Sequence, residues 1–137
     1  MAIKHFVTLS QKWEQDQYAS KAASTAFQNG GFISYNGSGY VVPTTAGTAI
    51  LGVGQEDVTS SDVDYTSTRK IAYQEVGLNL PFFIDVTTGT ATAAMVGNKY
   101  NVDTGGCSLD VSGSGTQIEI VAFISATKVV GKVVLFG

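Results

Sequence analysis

Charged side chains are scarce in this chain. Asp, Glu, Lys and Arg make up 14% of its 137 residues, whereas about 25% is usual in soluble domains. The 8 cationic residues are scattered and the formal net charge is −3, so no basic surface is available for phosphate groups. We therefore expect no nucleic acid among its partners.

Cysteine and histidine each occur once, as Cys107 and His5. A single cysteine cannot form an intrachain disulfide. Any Ser-His-Asp or Cys-His arrangement would depend on His5, which lies near the start of the chain in a region expected to be loose. Cys107 alternates with Leu109 and Val111, which predicts a buried small hydrophobe. With no catalytic constellation in the sequence, we expect a non-enzymatic protein without a cofactor.

Long hydrophobic runs are also missing. No apolar stretch approaches the roughly 18–20 residues of a membrane-spanning helix, and the N-terminal sequence lacks the apolar centre of a signal peptide. The sequence therefore predicts a soluble protein with no membrane partner, made in a cytoplasm.

The polar stretch 55–69 contains Asp57, Asp62 and Asp64. Their spacing lacks the alternating ligands and the glycine of a calcium-binding loop, so we expect no metal site. The stretch is predicted to be a long, solvated and mobile loop. Tyr65 beside these carboxylates would be a contact residue if the protein instead bound glycans.

Glycine, valine and threonine are abundant, and this composition favours strands joined by tight turns. Residues 98–111 illustrate the pattern, because apolar residues alternate on two arms around Asp-Thr-Gly-Gly. From Phe32 onward about nine short strands are spaced as in barrels and sandwiches. They are predicted at 32–35, 40–45, 48–54, 70–77, 81–87, 90–96, 98–111, 117–126 and 128–137.

The fold class predicted is all-β, a compact antiparallel β-barrel or β-tulip-like domain. Alternation places a set of side chains in its core: Cys107, Leu109, Val111, Ile118 and Ile120. Gln117 and Glu119 alternate with the last two and are expected to face outward.

The final strand, Val129 to Phe136, is apolar on both faces. A strand of this kind is usually covered on both faces. In a small domain the second cover is expected to be a neighbouring subunit, so Val130, Val134 and Phe136 are candidate subunit-interface residues.

Residues 1–30 differ from the rest, being rich in Gln, Ala and Ser without period-2 alternation. Ser10 would cap a helix here, but Trp13, Tyr18 and Phe27 do not share one helical stripe. We expect an N-terminal arm over residues 1–30 and a β domain over 31–137. The three aromatics are the candidate anchors for a partner.

The glycine and strand pattern resembles that of the small head decoration, or capsid cement, proteins of tailed bacteriophages. In that family a glycine-led strand, a turn, a second strand ending near proline and an apolar-apolar-Gly-Val strand follow one another. A later Gly-Asp, an alternating strand and a glycine turn complete the pattern, and Asn98 here replaces the usual acidic residue. The matching segments are Gly31–Tyr35, Gly39–Pro43, Ile50–Val53 and Gly97–Asp103 with Gly105-Gly106.

The resemblance implies a non-enzymatic viral structural protein on the capsid exterior of a virion, made in the host cytoplasm. Its partners would be the major capsid protein and two further copies in a homotrimer that clamps neighbouring capsomers. Two alternatives remain open from the sequence. One is a glycan- or receptor-binding β module of a phage tail or fibre, and the other is a tail-tube subunit.

Overall fold

The structure, a computed structural model, describes the backbone of residues 3–5 and residues 17–76 and 80–137 in full. Within these ranges the chain forms eleven strands and two 3-10 helices, Ala93–Met95 and Thr104–Gly106. No helix there is long and apolar enough to cross a membrane. The strands are β1 (Ile3–His5), β2 (Gln17–Ser20), β3 (Phe32–Tyr35), β4 (Val41–Pro43), β5 (Gly52–Gly54), β6 (Lys70–Glu75), β7 (Phe82–Thr88), β8 (Lys99–Val102), β9 (Leu109–Asp110), β10 (Ile118–Ser125) and β11 (Lys128–Val133).

Five strands close into a barrel in the order β7-β11-β10-β8-β9. Neighbours in this series pair antiparallel, and a parallel pairing of Val86 in β7 with Leu109 in β9 closes the ring. β1 adds a further strand beside the first half of β7. The predicted all-β barrel is therefore confirmed.

The barrel core follows from period-2 alternation along these strands. Alternate residues of β7 and β11 are buried, and the gap beside Gly131 is narrow. A Cβ at Gly131 would lie 2.7 Å from the Cγ2 methyl of Ile118, so a larger residue would displace a core side chain. The core contains Phe32, Ile50, Val53, Val76, Phe82, Ile84, Val86, Ala91, Tyr100, Val102, Leu109, Val111, Ile118, Ile120, Val129 and Val133. Four of the five predicted core residues are among them; Cys107 is not.

A second sheet has the order β2-β6-β5-β3-β4, and a parallel bridge between Lys21 and Val41 joins its two edges. Successive residues of β3 face different cores. Phe32 packs edge-to-face on Phe82 of the barrel with ring centroids 5.4 Å apart, while Ile33 points to the other side. The second core consists of Ala19, Phe27, Ile33, Val41, Val58, Ile71 and Tyr73.

The turn at residues 36–39 has the conformation that its sequence predicts. Gly37 and Gly39 have φ values of 87° and 91°, a region that side chains rarely adopt. The predicted strand at 90–96 is wrong, since residues Ala93–Met95 form a 3-10 helix. Alanine and threonine differ little in hydrophobicity, so their alternation in this segment does not favour the burial of one face in the core.

The segment 17–30 is part of the fold, so the prediction of an arm over residues 1–30 is wrong there. β2 pairs with β6, and the backbones of Phe27 and Val58 form two hydrogen bonds with each other. Phe27 is only 6% exposed, so it is a core residue and its prediction as a partner anchor is also wrong. The backbone of His5 belongs to β1, whereas Trp13 lies outside the described residues.

The loop at 55–69 is tied to this N-terminal segment through Lys21, whose side chain is fully buried. Its Nζ donates to the carbonyl oxygens of Tyr65, at 2.9 Å, and Ser67, at 2.7 Å. The hydroxyl of Tyr65 donates to the carbonyl of Ser24 at 2.8 Å. These bonds hold the predicted loop against the second core.

Gln117 joins the barrel to the turn that follows β4. Its Nε2 donates to the carbonyls of Thr45, at 2.8 Å, and Thr48, at 2.6 Å. Its Oε1 accepts from the N–H of Val102 at 2.9 Å. The side chain is fully buried, so the prediction that Gln117 faces outward is wrong. The residue precedes β10 and is the partner of the Thr48 carbonyl and the Val102 N–H, which would otherwise be unpaired. The Thr45 carbonyl also accepts from the N–H of Thr48.

Candidate interaction surface

An apolar row crosses the outer face of the barrel over three adjacent strands. The strand register places Phe83 opposite Val130, and Val130 opposite Ala122. Residues opposite each other on paired strands share a face, and this face points away from the barrel core. Phe83 and Val130 are half-buried and Ala122 is exposed. We call this row, together with the exposed Phe123 and Ile124 at the end of the β10–β11 hairpin, the hairpin surface.

Ion pairs border this row on both sides. Lys128 Nζ lies 3.7 Å from Asp85 Oδ1 on one side. Lys132 Nζ lies 4.0 Å from Glu119 Oε2 on the other. An apolar centre with a charged rim is the usual arrangement of a protein–protein interface. Exposed ion pairs of this kind contribute little to stability, so their position matters more than their strength.

Two further apolar residues are exposed near the end of the β10–β11 hairpin. Phe123 and Ile124 are 40% and 44% exposed. Bulges interrupt the ladder between Ile120 and Ala122 and between Phe123 and Ser125. The register pairs Phe123 with the core residue Val129, so Phe123 lies on the other face of the hairpin from Val130. The second bulge interrupts the ladder at Ile124.

Among the described residues, the second edge of β10 pairs with another strand only at its first residues, and the 3-10 helix Ala93–Met95 contacts β10. β8 pairs only with Ile118 and Glu119. From Val121 to Ser125, no other strand of the described ranges pairs with this edge. From Ile120 to Thr127 the sequence also carries no charge. Uncharged, apolar edge strands are unusual in isolated proteins, which normally protect such edges with charge.

No protein-family model matches this chain. No curated protein is significantly similar to it.

The predicted subunit-interface residues divide between two places. Val130 lies at the centre of the hairpin surface. Val134 is half-buried, and its N–H donates to the carbonyl of Gln117. Phe136 is 37% exposed and forms a parallel bridge with Ile50. Their role as subunit-interface residues stays a prediction.

Sequence reasoning missed Phe83, Phe123 and Ile124. The available signal was the loss of alternation after Ile120, where an uncharged run replaces the apolar-polar pattern. Of the predicted partner anchors, Tyr18 is 62% exposed on β2, and its role stays a prediction.

The acidic residues of the 55–69 loop are each engaged locally. Asp57 Oδ1 accepts from the N–H of Asn29 at 2.8 Å, and Asp62 Oδ2 from that of Thr59 at 2.9 Å. Asp64 forms an ion pair with Arg69. Across 17–76 and 80–137 no group of three or more acidic, His or Cys side chains is placed to hold a metal. The hydroxyl of Tyr65 donates to a backbone carbonyl, and its role as a glycan contact stays a prediction.

Cys107 lies at the end of the 3-10 helix Thr104–Gly106 and is half-buried. Its Sγ donates to Gln28 Oε1 at 3.0 Å. This hydrogen bond joins the turn between β8 and β9 to the segment before β3. Burial raises the pKa of this thiol, so it is a poor nucleophile. The prediction of a core position on a strand is wrong, because the helix turns the chain before β9 begins.

Asp103 is the centre of a hydroxyl network outside the barrel. Its Oδ2 accepts from Thr87 Oγ1 at 2.7 Å and from Thr88 Oγ1 at 2.5 Å. Its Oδ1 accepts from the N–H of Thr104 at 2.7 Å. The hydrogen bond from Thr88, then those from Thr87 and Thr104, hold the pKa of this carboxyl below its usual value. The network fastens the β8–β9 turn to the end of β7.

We expect Asp103→Asn to destabilise the protein at neutral pH. Since the folded-state pKa is lowered, the ionised carboxylate stabilises the fold above its unfolded pKa of about 3.9. That contribution disappears as pH falls through the folded-state pKa. Urea unfolding of both proteins from pH 7 to pH 3 should therefore give a difference that shrinks toward acid. Asp85→Asn, in an exposed ion pair, is the control, and an equal pH dependence there would contradict the assignment.

Proposed function

We propose that this protein is a non-enzymatic structural subunit of a bacteriophage head. It binds the outside of the capsid as a homotrimer and stabilises the shell by clamping neighbouring capsomers. The observation that carries the proposal is the hairpin surface, an apolar row with a charged rim next to an exposed apolar hairpin end, on a protein of low charge. Such a surface favours a function that consists of binding other proteins.

The hairpin surface serves as the subunit contact in this proposal. Phe123 and Ile124 are 40% and 44% exposed, so burial of the area that remains in water contributes about 1 kcal/mol for each side chain. The uncharged segment between the two ion pairs allows close approach without burying an unpaired charge. The pairs Asp85–Lys128 and Glu119–Lys132 would then form the rim, where charge sets orientation more than affinity.

The resemblance to decoration proteins concerns segments that are neighbours in the structure. Gly31–Tyr35 contributes β3, Gly39–Pro43 contributes β4, and Ile50–Val53 leads into β5. These three strands lie side by side in the second sheet. The fourth segment, Gly97–Asp103, contributes β8 of the barrel, so three of the four matching segments form one packed unit.

The clamping mechanism relies on several weak contacts acting together. When one trimer engages several capsomers, each later contact is intramolecular and gains effective concentration. A partner that binds only the assembled shell stabilises that state by mass action. The major capsid protein is the proposed partner, and exposed Tyr18 on the second sheet is a candidate contact for it.

Substitution of the hairpin surface tests the proposal. The wild-type protein should be a trimer by light scattering and should co-sediment with capsids of the parent phage. Phe123→Glu and Ile124→Glu place a charge at the contact, so each should give monomers that keep the far-UV circular dichroism of the wild type. These variants should also bind capsids more weakly.

The matched control is Val63→Glu, because Val63 is a fully exposed apolar residue in the 55–69 loop. It should leave both assembly and attachment unchanged. A wild-type protein that stays monomeric and does not bind shells would contradict the proposal. Saturable binding to a glycan array by that monomer would favour the receptor-binding alternative.

A further inference from the structure

The chain contains two Asn-Gly pairs, Asn29-Gly30 and Asn36-Gly37. In such a pair the backbone nitrogen of glycine can attack the asparagine side chain, since no Cβ hinders its approach. The two pairs have similar local sequence. Their surroundings in the fold differ in every feature that this reaction depends on.

Asn36 lies in the exposed turn between β3 and β4 with its side chain folded over its own backbone. Its Oδ1 accepts hydrogen bonds from the N–H of Ser38, at 2.8 Å, and from that of Tyr40, at 3.3 Å. Two N–H groups directed at one carbonyl oxygen stabilise the negative charge that develops there when a nucleophile adds to the carbon. The same bonds fold the side chain over the backbone of the turn that contains Gly37.

Gly37 leaves its nitrogen available. Its N–H forms no hydrogen bond within residues 17–76 and 80–137. No atom outside its immediate chain neighbours lies within 4 Å of the position where a Cβ would stand. The peptide can therefore rotate toward the side chain without leaving a partner or meeting a neighbour.

Asn29 lacks these features. Gly30 is buried, and its N–H donates to the carbonyl of Gly54 at 2.9 Å. The N–H of Asn29 itself is held by Asp57 Oδ1 at 2.8 Å. Attack by the Gly30 nitrogen would first require these bonds to open, so the reaction is limited by local unfolding.

We propose that Asn36 is a site of spontaneous deamidation built into the folded protein, and that Asn29 is protected. The Gly37 nitrogen bonds to Cγ of Asn36, and the Cγ–Nδ2 bond breaks. Nδ2 leaves as ammonia with the proton from the Gly37 nitrogen, which leaves a five-membered imide. Water then opens the imide at one of its two carbonyls and gives aspartate or isoaspartate.

The product changes the surface of the β3–β4 turn. One negative charge appears between Tyr35 and Tyr40, which are 47% and 38% exposed. Isoaspartate also adds one carbon to the backbone of a four-residue turn. A protein kept for long periods outside a cell would accumulate this change. The chemistry itself does not depend on the proposed capsid function.

Peptide mass spectrometry after incubation at mildly alkaline pH tests the proposal. Chymotrypsin, which cuts after Phe32, separates the two sites. In the folded protein Asn36 should convert at least about tenfold faster than Asn29, because only Asn29 needs local opening. In urea the two rates should become similar, since only the fold distinguishes the sites.

Each outcome decides the proposal. Conversion of Asn36 that is slower in the folded protein than in urea would show that the turn protects it, and would overturn the inference. Equal rates at the two sites in the folded protein would also overturn it. Asn36→Asp supplies the charge standard for ion-exchange separation of the product and should fold as the wild type does.

Discussion

A chain that begins at Gly31 should fail to fold. The truncation removes β2, which is hydrogen-bonded along β6, and it removes Ala19 and Phe27 from the second core. It also removes Lys21, the buried side chain that holds the 55–69 loop. Circular dichroism of the truncated protein should show no cooperative thermal transition. An unchanged transition temperature would restore the interpretation of residues 1–30 as a detachable arm.

Two single substitutions test the effect of one buried side chain separately from the loss of the whole N-terminal segment. Phe27→Ala should lower the free energy of unfolding by about 3–5 kcal/mol, as expected for a buried aromatic replaced by alanine. Tyr18→Ala, at an exposed aromatic on the same segment, should change it by no more than about 0.5 kcal/mol. Urea titrations measure both values. A larger loss at Tyr18 than at Phe27 would contradict the assigned burial.

Gln117→Ala should be the most damaging polar substitution. It leaves the carbonyl of Thr48 and the N–H of Val102 without their partner inside the protein, whereas the carbonyl of Thr45 keeps the N–H of Thr48. Because each buried unsatisfied group costs about 1–3 kcal/mol, we expect a loss of about 2 kcal/mol or more. Gln17→Ala, at an exposed position of β2, is the matched control. A loss below about 1 kcal/mol at Gln117 would mean that water replaces the side chain.

The alternation of apolar and polar residues along the strands was sufficient to predict the barrel. Ile118 and Ile120 on β10, and Leu109 on β9, are buried as their spacing indicates. The turn at Asn36 was readable for a related reason, since glycine at positive φ leaves a local signal in the sequence. Features that depend on neighbouring residues alone were therefore accessible.

Features that depend on distant partners were not accessible. Lys21 is buried because its ammonium group donates hydrogen bonds to carbonyls that lie more than forty residues later in the chain. Gln117 is buried because of a turn about seventy residues earlier. β2 buries little apart from Ala19, so its pairing with β6 left almost no pattern to detect. The hairpin surface was missed because two bulges break the period-2 rule there.

The closure of the barrel by β7 and β9 also affects the order in which the parts of the protein fold. β8 and β9 are joined by a short turn, and β10 and β11 by a shorter one, so both hairpins can form early from nearby residues. Val86 and Leu109 come into contact only after the chain between them has folded back. The conformational entropy of that loop is lost before the contact contributes any stabilising free energy. The seam between β7 and β9 is therefore expected to form late in folding, after the hairpins whose edges it joins.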